Sequence, residues 1–271
     1  MKRTVLGVVI VIACLLGCAR PLRARSPMQG APQLSVLSFN VNFGARDAPG
    51  NLAAIVAADA DVVLLQETTP ALERAARRQL KARYPHQLFR QCCRAGGLGV
   101  LSKVPFEDMD YLDSPIGWFP GWWVRLDSPL GPVQVLLVHL RPPVSDSGSW
   151  VKGYFTTAGL RHQELAAYLE RRAPGIPTIV AGDFNEARGK ALDLLADRGL
   201  TDAVDVLAPG TATWRWTTSV GTLRFTLDHV YHDDRLRALT AEVHDAGASD
   251  HLPVKVVFEQ APPPGGNGKL L

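Results

Sequence analysis

The chain has 271 residues, 46% of them hydrophobic and 20% charged, with a formal net charge of +3. That length supports one large domain with a substantial core, and a second domain is not required. The first 33 residues carry Lys2, Arg3, Arg20, Arg23 and Arg25 and no acidic group, which leaves 29 − 5 = 24 basic against 26 acidic residues downstream, a balance that shows no extended positive footprint for tight duplex binding and leaves a local basic patch as the alternative.

Lys2 and Arg3 precede an apolar run from Val5 to Leu16, 12 residues long, which suits a signal-peptide core and is too short to span a bilayer. Leu15-Leu16-Gly17-Cys18 follow and resemble the lipobox of bacterial lipoproteins, in which cleavage before the Cys leaves it as a lipid-bearing N-terminus. A plain secretory signal with an incidental Cys is the alternative. The sequence thus predicts a signal peptide over 1–17, a lipid-anchored and flexible tether over 18–33 rich in Pro and Gly, one domain over 34–260, and a disordered Pro/Gly-rich tail over 261–271. It places the chain in the cell envelope, translocated, on the periplasmic or outer surface, and as a monomer. Cys14 leaves with the signal and Cys18 carries lipid, so Cys92 and Cys93 remain, as free thiols, as partners of another chain, or as a disulfide between neighbours.

Leu34 to Phe43 alternates as a strand does and ends in Asn40-Val41-Asn42 before Gly44. A helix is expected over Asn51 to Ala58, then a buried strand over Asp61 to Gln66 that delivers Glu67 at its end. A carboxylate there must be paired or metal-bound, or it caps the helix expected over Pro70 to Arg83. Short strands follow over Gly97–Ser102, Phe106–Asp113, Trp123–Leu126 and Val133–Leu140, the last carrying His139. After a loop over Pro142–Phe155 and a helix over Thr156–Arg172, Ile176 to Ala181 reads as a strand that opens into Gly182-Asp183-Phe184-Asn185. In an extended chain Asp183 and Asn185 face one site while Phe184 turns to the core. A helix over Lys190–Arg198, a strand over Phe225–Tyr231 with Asp228, and a last strand after Ser249-Asp250-His251 complete the chain. Polar groups at so many strand ends converge on one rim.

Six motifs in this order, Ser38-Phe39-Asn40-Val41, Leu65-Gln66-Glu67, Val138-His139-Leu140, Gly182-Asp183-Phe184-Asn185, Leu227-Asp228-His229-Val230 and Ser249-Asp250-His251, resemble those of the endonuclease/exonuclease/phosphatase superfamily, with the deoxyribonuclease-like fold. The resemblance covers Leu34 to about Glu259 and implies an α+β fold, a four-layer α/β/β/α sandwich of two mixed β-sheets with the site at one end. It also implies a metal-dependent phosphodiester hydrolase, nuclease-like or acting on phospholipid head groups in the manner of sphingomyelinase. Such chemistry needs a cation for the phosphoryl oxygens, an oriented water and a proton for the leaving oxygen. On these positions Glu67 is the main ligand of Mg²⁺, with Mn²⁺ or Ca²⁺ as alternatives, and Asn40 and Asp250 stand near it directly or through water. His251 activates or orients the water with Asp228 on its second N–H, Asp183 and Asn185 position nucleophile and phosphoryl group, and His139 donates to phosphate or leaving group.

Asn42 departs from the abasic-site repair branch, which has a metal-holding Asp there. His229 and His232 are expected to be surface histidines. The aromatic residues Trp118, Phe119, Trp122, Trp123, Trp150, Tyr154 and Phe155 either stack bases, enter a lipid surface, or fill gaps between layers. A binding lipoprotein without catalysis is the second reading of the same fold, disfavoured because every matched position holds a competent residue.

Overall fold

The structure is a computed structural model and describes residues 23–45, 48–145, 147–149, 152–153 and 156–262. The signal peptide, Cys18, Trp150, Tyr154, Phe155 and all but the first two residues of the expected tail lie outside the described residues.

Two six-stranded sheets form the centre. The first has the order β13 (Leu236–Val243), β14 (Val254–Gln260), β1 (Leu34–Asn40), β2 (Val62–Gln66), β4 (Leu98–Ser102), β3 (His86–Arg90). The second runs β5 (Phe106–Leu112), β6 (Gly121–Ser128), β7 (Gly131–His139), β8 (Thr178–Asp183), β12 (Asp228–His232), β9 (Thr201–Asp202). Each is mixed, because β1 pairs with β2 in parallel and β7 with β8 in parallel, while the other pairings are antiparallel.

The pleat sorts the side chains into layers. Leu34, Val36, Val62 and Leu64 of the first sheet meet Val135, Leu137, Ile179 and Ala181 of the second in one inner core. The intervening residues Leu37, Phe39, Val63 and Leu65 face outward, where α1 (Ala48–Ala58) and α2 (Pro70–Gln79) supply Leu52, Ile55, Leu72 and Ala76. On the other side Trp123, Leu136, Val138 and Val180 pack under α3 (Ala158–Leu169) and α4 (Lys190–Asp197). These are the four layers expected from the sequence, and both sheets read as near-continuous apolar runs because both faces are covered.

Several elements were not legible. β3, β9, β13 and the short helix α5 (Ala203–Leu207) have no expected counterpart, and the single strand expected over Phe225–Tyr231 is divided between β12 and a two-stranded hairpin, β10 (Trp214–Thr218) with β11 (Gly221–Phe225). The described part of the expected flexible tether is exposed but attached: Arg23 N–H donates to Leu207 O at 2.7 Å, Arg25 N–H to Leu239 O at 2.9 Å and Met28 N–H to Glu259 Oε2 at 3.0 Å. An edge strand offers unpaired carbonyls, and this segment takes one on β13. Trp122 and Trp123 lie within β6 and are fully buried, so they fill gaps between layers. His229 and His232 are buried as well, against the surface expectation. The His229 ring lies between the Asp202 carboxylate at 2.6 Å and Glu186 O at 3.0 Å, and His232 Nδ1 bonds Asp233 O at 2.8 Å.

Helix α3 carries a buried carboxylate, Glu164, which accepts from Arg141 N–H at 2.8 Å and Ser114 Oγ at 2.8 Å. Burial pushes its pKa from 4.5 to about 7, against these hydrogen bonds. The folded protein therefore holds a proton that the unfolded chain has released, and stability present below the unfolded value is lost as pH rises toward 7. Wild type is expected to melt lower at pH 7.5 than at pH 5, and Glu164→Gln should flatten that slope. An unchanged slope in the variant, followed by calorimetry, would remove Glu164 as its source.

Candidate active site

The inner face of the sandwich turns polar at one end. On β7 the inward series Val133, Val135, Leu137 continues to His139, and on β8 Ile179, Ala181 continues to Asp183. His139 is the register partner of Asp183 across the parallel pair, and Asp228 is its partner across the antiparallel pair with β12. Asp183 thus stands between two titratable neighbours that the backbone ladder holds in place. Gly182 makes the approach possible, with φ 149° and no room for a side chain, since a Cβ there would lie 1.9 Å from Val138 O.

The first sheet supplies the facing groups. Asn40 ends β1, and its Nδ2 donates to Glu67 Oε1 at 3.0 Å and to Asp183 Oδ2 at 3.0 Å, joining the two sheets through one amide. The other Glu67 oxygen accepts from Phe43 N–H at 2.9 Å, so Glu67 faces the site and does not cap α2, where Thr69 takes that place. Asn40 turns its amide nitrogen, not its oxygen, to the carboxylates; its Oδ1 accepts from Asn42 N–H at 3.0 Å. Asn42 in turn donates from Nδ2 to Asp250 Oδ1 at 2.8 Å, and Trp214 Nε1 donates to Asp250 Oδ2 at 2.9 Å. Glu67, Asn40, Asn42 and Asp250 form one hydrogen-bonded chain.

His251 closes the site from the loop before β14. Its Nδ1 lies 2.9 Å from Asp228 Oδ2 and its Nε2 3.5 Å from Asp183 Oδ2, and Ser249 Oγ fixes the loop by donating to Asn40 O at 2.8 Å. Burial opposes charge on this ring, but the Asp228 and Asp183 carboxylates outweigh it and lift its pKa to about 10. Burial also raises the Asp183 carboxyl, with His251 and His139 pulling the other way. Asp183 and Asn185 do converge, but not by extended alternation: Asn185 has φ 51°, and its N–H turns back onto Asp183 Oδ1 at 2.8 Å. Its side-chain amide holds Leu140 O at 3.0 Å.

His139 Nε2 faces Asp183 Oδ2 at 3.6 Å and Glu67 Oε1 at 3.8 Å, while Nδ1 bonds Ala95 O at 3.1 Å and Phe119 stacks on the ring at 4.2 Å. Ala95 belongs to a short turn entered by the Cys92–Cys93 disulfide, which settles the three alternatives for these cysteines. Sequence reasoning did not find Ala95, Trp214 or the positive part played by Asn42. The first offers only a backbone carbonyl and the second stands outside every motif; Asn42 had a signal, its place two residues after Asn40.

Asp183, Asp228 and His251 each present a ligand atom within 4.8 Å of the others, and Asp228 Oδ1 is buried with no donor among the described residues. The Glu67 carboxylate is partly open, with a spare lone pair on each oxygen after its two hydrogen bonds. Oxygen donors of this kind fit a hard divalent cation.

Three solved structures share the architecture, at identities that show the fold alone. An endonuclease/exonuclease/phosphatase from Beutenbergia cavernae is 22% identical over 85% of this chain and 72% of its own, with a TM-score of 0.67. TDP2 of D. rerio, complexed with single-strand DNA product, is 18% identical over 84% and 99%, with a TM-score of 0.66. The human Nocturnin catalytic domain with bound sulfate anion is 18% identical over 85% and 94%, with a TM-score of 0.63. No curated protein matches the sequence. The family model described as Endonuclease/Exonuclease/phosphatase family matches residues 37–251, from the middle of β1 to His251, and the chain belongs to that family.

Proposed function

We propose that the protein is a divalent-metal-dependent phosphodiester hydrolase anchored in the cell envelope. The observation that carries the reading is the Asn40 amide bridging Glu67 and Asp183 at 3.0 Å each, beside a His251 held by Asp228. Glu67 would hold the cation, with Asp250 and Asn40 adjoining it through the Asn42 network; Mg²⁺ suits these ligands, and Mn²⁺ or Ca²⁺ are the alternatives. A bound cation supplies positive charge for the phosphoryl oxygens.

The remaining work falls to side chains. Hydrolysis forms a bond from water oxygen to phosphorus, breaks the bond to the leaving oxygen, and moves one proton off the water and one onto the leaving group. The sequence left His251 either to activate or to orient the water. Its two carboxylate neighbours favour the protonated ring, which orients and cannot accept, so the accepting role passes to Asp183, whose carboxyl burial raises above the ordinary range. His251, oriented at Nδ1 by Asp228, then presents Nε2–H to the phosphoryl group, Asn185 positions Asp183, and His139 faces the leaving oxygen. The domain's acidic balance favours a substrate engaged at one phosphodiester, such as a lipid head group, a small phosphodiester or a short single strand, over a long duplex.

Glu67→Gln should lose activity by about 10²-fold or more and melt near wild type, because it removes a charge at the rim and no core volume. Turnover of a phosphodiester panel that persists in excess chelator would overturn the metal assignment. His251→Ala and Asp228→Ala should each lose roughly 10²- to 10⁴-fold, with the double variant little worse than His251→Ala alone; multiplicative losses in kcat/KM would show that the two act independently. The anchor is checked by fractionation: Cys18→Ser should move the protein from membrane to soluble fraction, and identical fractionation would return the plain secretory signal.

A further inference from the structure

The β10–β11 hairpin stands beside the site and is not used by the chemistry above. Its register pairs Trp214 with Phe225, Arg215 with Arg224, Trp216 with Leu223 and Thr217 with Thr222. Alternation therefore gives one face to Trp214, Trp216, Leu223 and Phe225 and the other to Arg215, Arg224 and two threonines. The apolar face is open to solvent: Trp216 is 48%, Leu223 49% and Phe225 45% exposed, and Val220 at the tip is 96% exposed. Four of the seven large hydrophobic side chains exposed among the described residues lie in this one hairpin, and a fifth, Phe43, donates its backbone N–H to Glu67. At its base Trp214 holds the Asp250 carboxylate, so the hairpin is fixed to the mouth of the site.

The geometry points to a lipid bilayer surface as the occupant of this face. Three observations favour it. Val220 and Leu223 are aliphatic and offer no ring on which a base could stack, whereas an interfacial element combines aromatic residues with aliphatic ones and basic groups at its flank. Residues 206–227 contain Arg215 and Arg224 and no acidic residue, which suits anionic head groups although Asp245 pairs with Arg215.

The third is where the chain enters. From Leu34 backward, residue 28 bonds Glu259 near the far end of β14, residue 25 bonds Leu239 in mid-β13, and Arg23 bonds Leu207 at the end of α5. Helix α5 carries the chain from Asp202, opposite Tyr231, toward Thr213, whose hydroxyl accepts from Asp228 N–H at 2.9 Å at the site end. Arg23, the first described residue, is thus bonded to the element that leads in sequence into the hairpin. Cys18 lies five residues before Arg23, a reach of at most roughly 18 Å in extended chain. The hairpin and the anchor would rest on the same membrane, with the site mouth turned to it. The inference rests on the anchoring reading for direction, which the Cys18→Ser fractionation tests separately, and it is independent of turnover.

The test uses the full chain with vesicles of equal parts phosphatidylcholine and phosphatidylglycerol whose acyl chains carry bromine, a contact quencher of indole fluorescence. Quenching is expected in wild type, and Trp216→Phe should lose most of it. Val220→Asp with Leu223→Asp should abolish the Trp216 component, while Thr222→Ala, on the opposite face and without change of charge, should keep it; near-wild-type circular dichroism and melting in each separates lost docking from lost folding. Equal quenching in wild type and Trp216→Phe would overturn the proposal. So would quenching of Trp216 by a single-stranded oligonucleotide but not by vesicles, which would make the hairpin a base-stacking platform. Self-association that vanishes in the Val220→Asp, Leu223→Asp variant, without lipid contact, would assign the face to a second copy of the chain.

Discussion

Side chains of a strand alternate between its two faces, and in this protein that alternation makes the site an extension of the inter-sheet core. Leu64 leads to Gln66, Leu137 to His139, Ala181 to Asp183, and Val230 back to Asp228, each a single step of two residues along an inward face. The ladder then sets lateral spacing, with His139, Asp183 and Asp228 as neighbours in register. A slip of one residue in β8 would send Asp183 outward among the helices and bring Phe184 into the site, so the packing of the apolar residues and the placement of the reactive ones are one constraint.

That arrangement buries charge, and burial has to be compensated. An unpaired buried carboxylate costs several kcal/mol even after relaxation, of order the whole stability of a domain when two are involved. Asp183 meets this with the Asn40 amide, the Asn185 N–H and two imidazoles; Asp228 meets it with one oxygen on His251. The same pattern repeats behind the site, where Arg161 pairs with Glu186 at 2.7 Å and His229 with Asp202 at 2.6 Å, both pairs buried. Removing one partner strands the other, so these groups specify the rim as much as they stabilise it.

What could be read in the sequence follows from this physics. An apolar run that ends in Asn, Glu, His or Asp is visible at Phe39-Asn40, Leu65-Gln66-Glu67, Val138-His139 and Ala181-Gly182-Asp183, and these pointed to strands and a common rim, while the four layers followed only from the family resemblance. The hairpin was not visible, because Trp-Arg-Trp-Thr-Thr buries no face and the alternation there has no core to report. β13 was missed for a related reason: its sequence Leu236-Arg237-Ala238-Leu239-Thr240-Ala241 breaks period at the shift between Ala238 and Thr240. The contacts of Ala95 with His139 and of Trp214 with Asp250 cross 44 and 36 residues, and no local pattern encodes a partner so remote. Burial of His229 is a tertiary matter of the same kind, set by Asp202 of β9, Glu186 and Phe184 around the ring.

The backbone carries the last part of the design. Six residues other than glycine have positive φ among those described: Asn42 at 54°, Asp59 at 48°, Glu67 at 60°, Cys93 at 35°, Arg94 at 63° and Asn185 at 51°. All but Asp59 belong to the site or to the turn that holds His139. Left-handed backbone is tolerated by Asn, whose short amide bonds locally, and costs about 1 to 2 kcal/mol for a longer side chain such as Glu. For Glu67 the reason is directional. Val63 and Leu65 point outward to the helices, and simple alternation would send Glu67 after them; the left-handed turn at φ 60° brings its carboxylate back to Asn40 and Phe43 instead. The strain is therefore what separates a helix-capping residue from a group that faces the site, and it is held there by the Thr68 N–H to Gly97 O bond at 3.0 Å immediately after it.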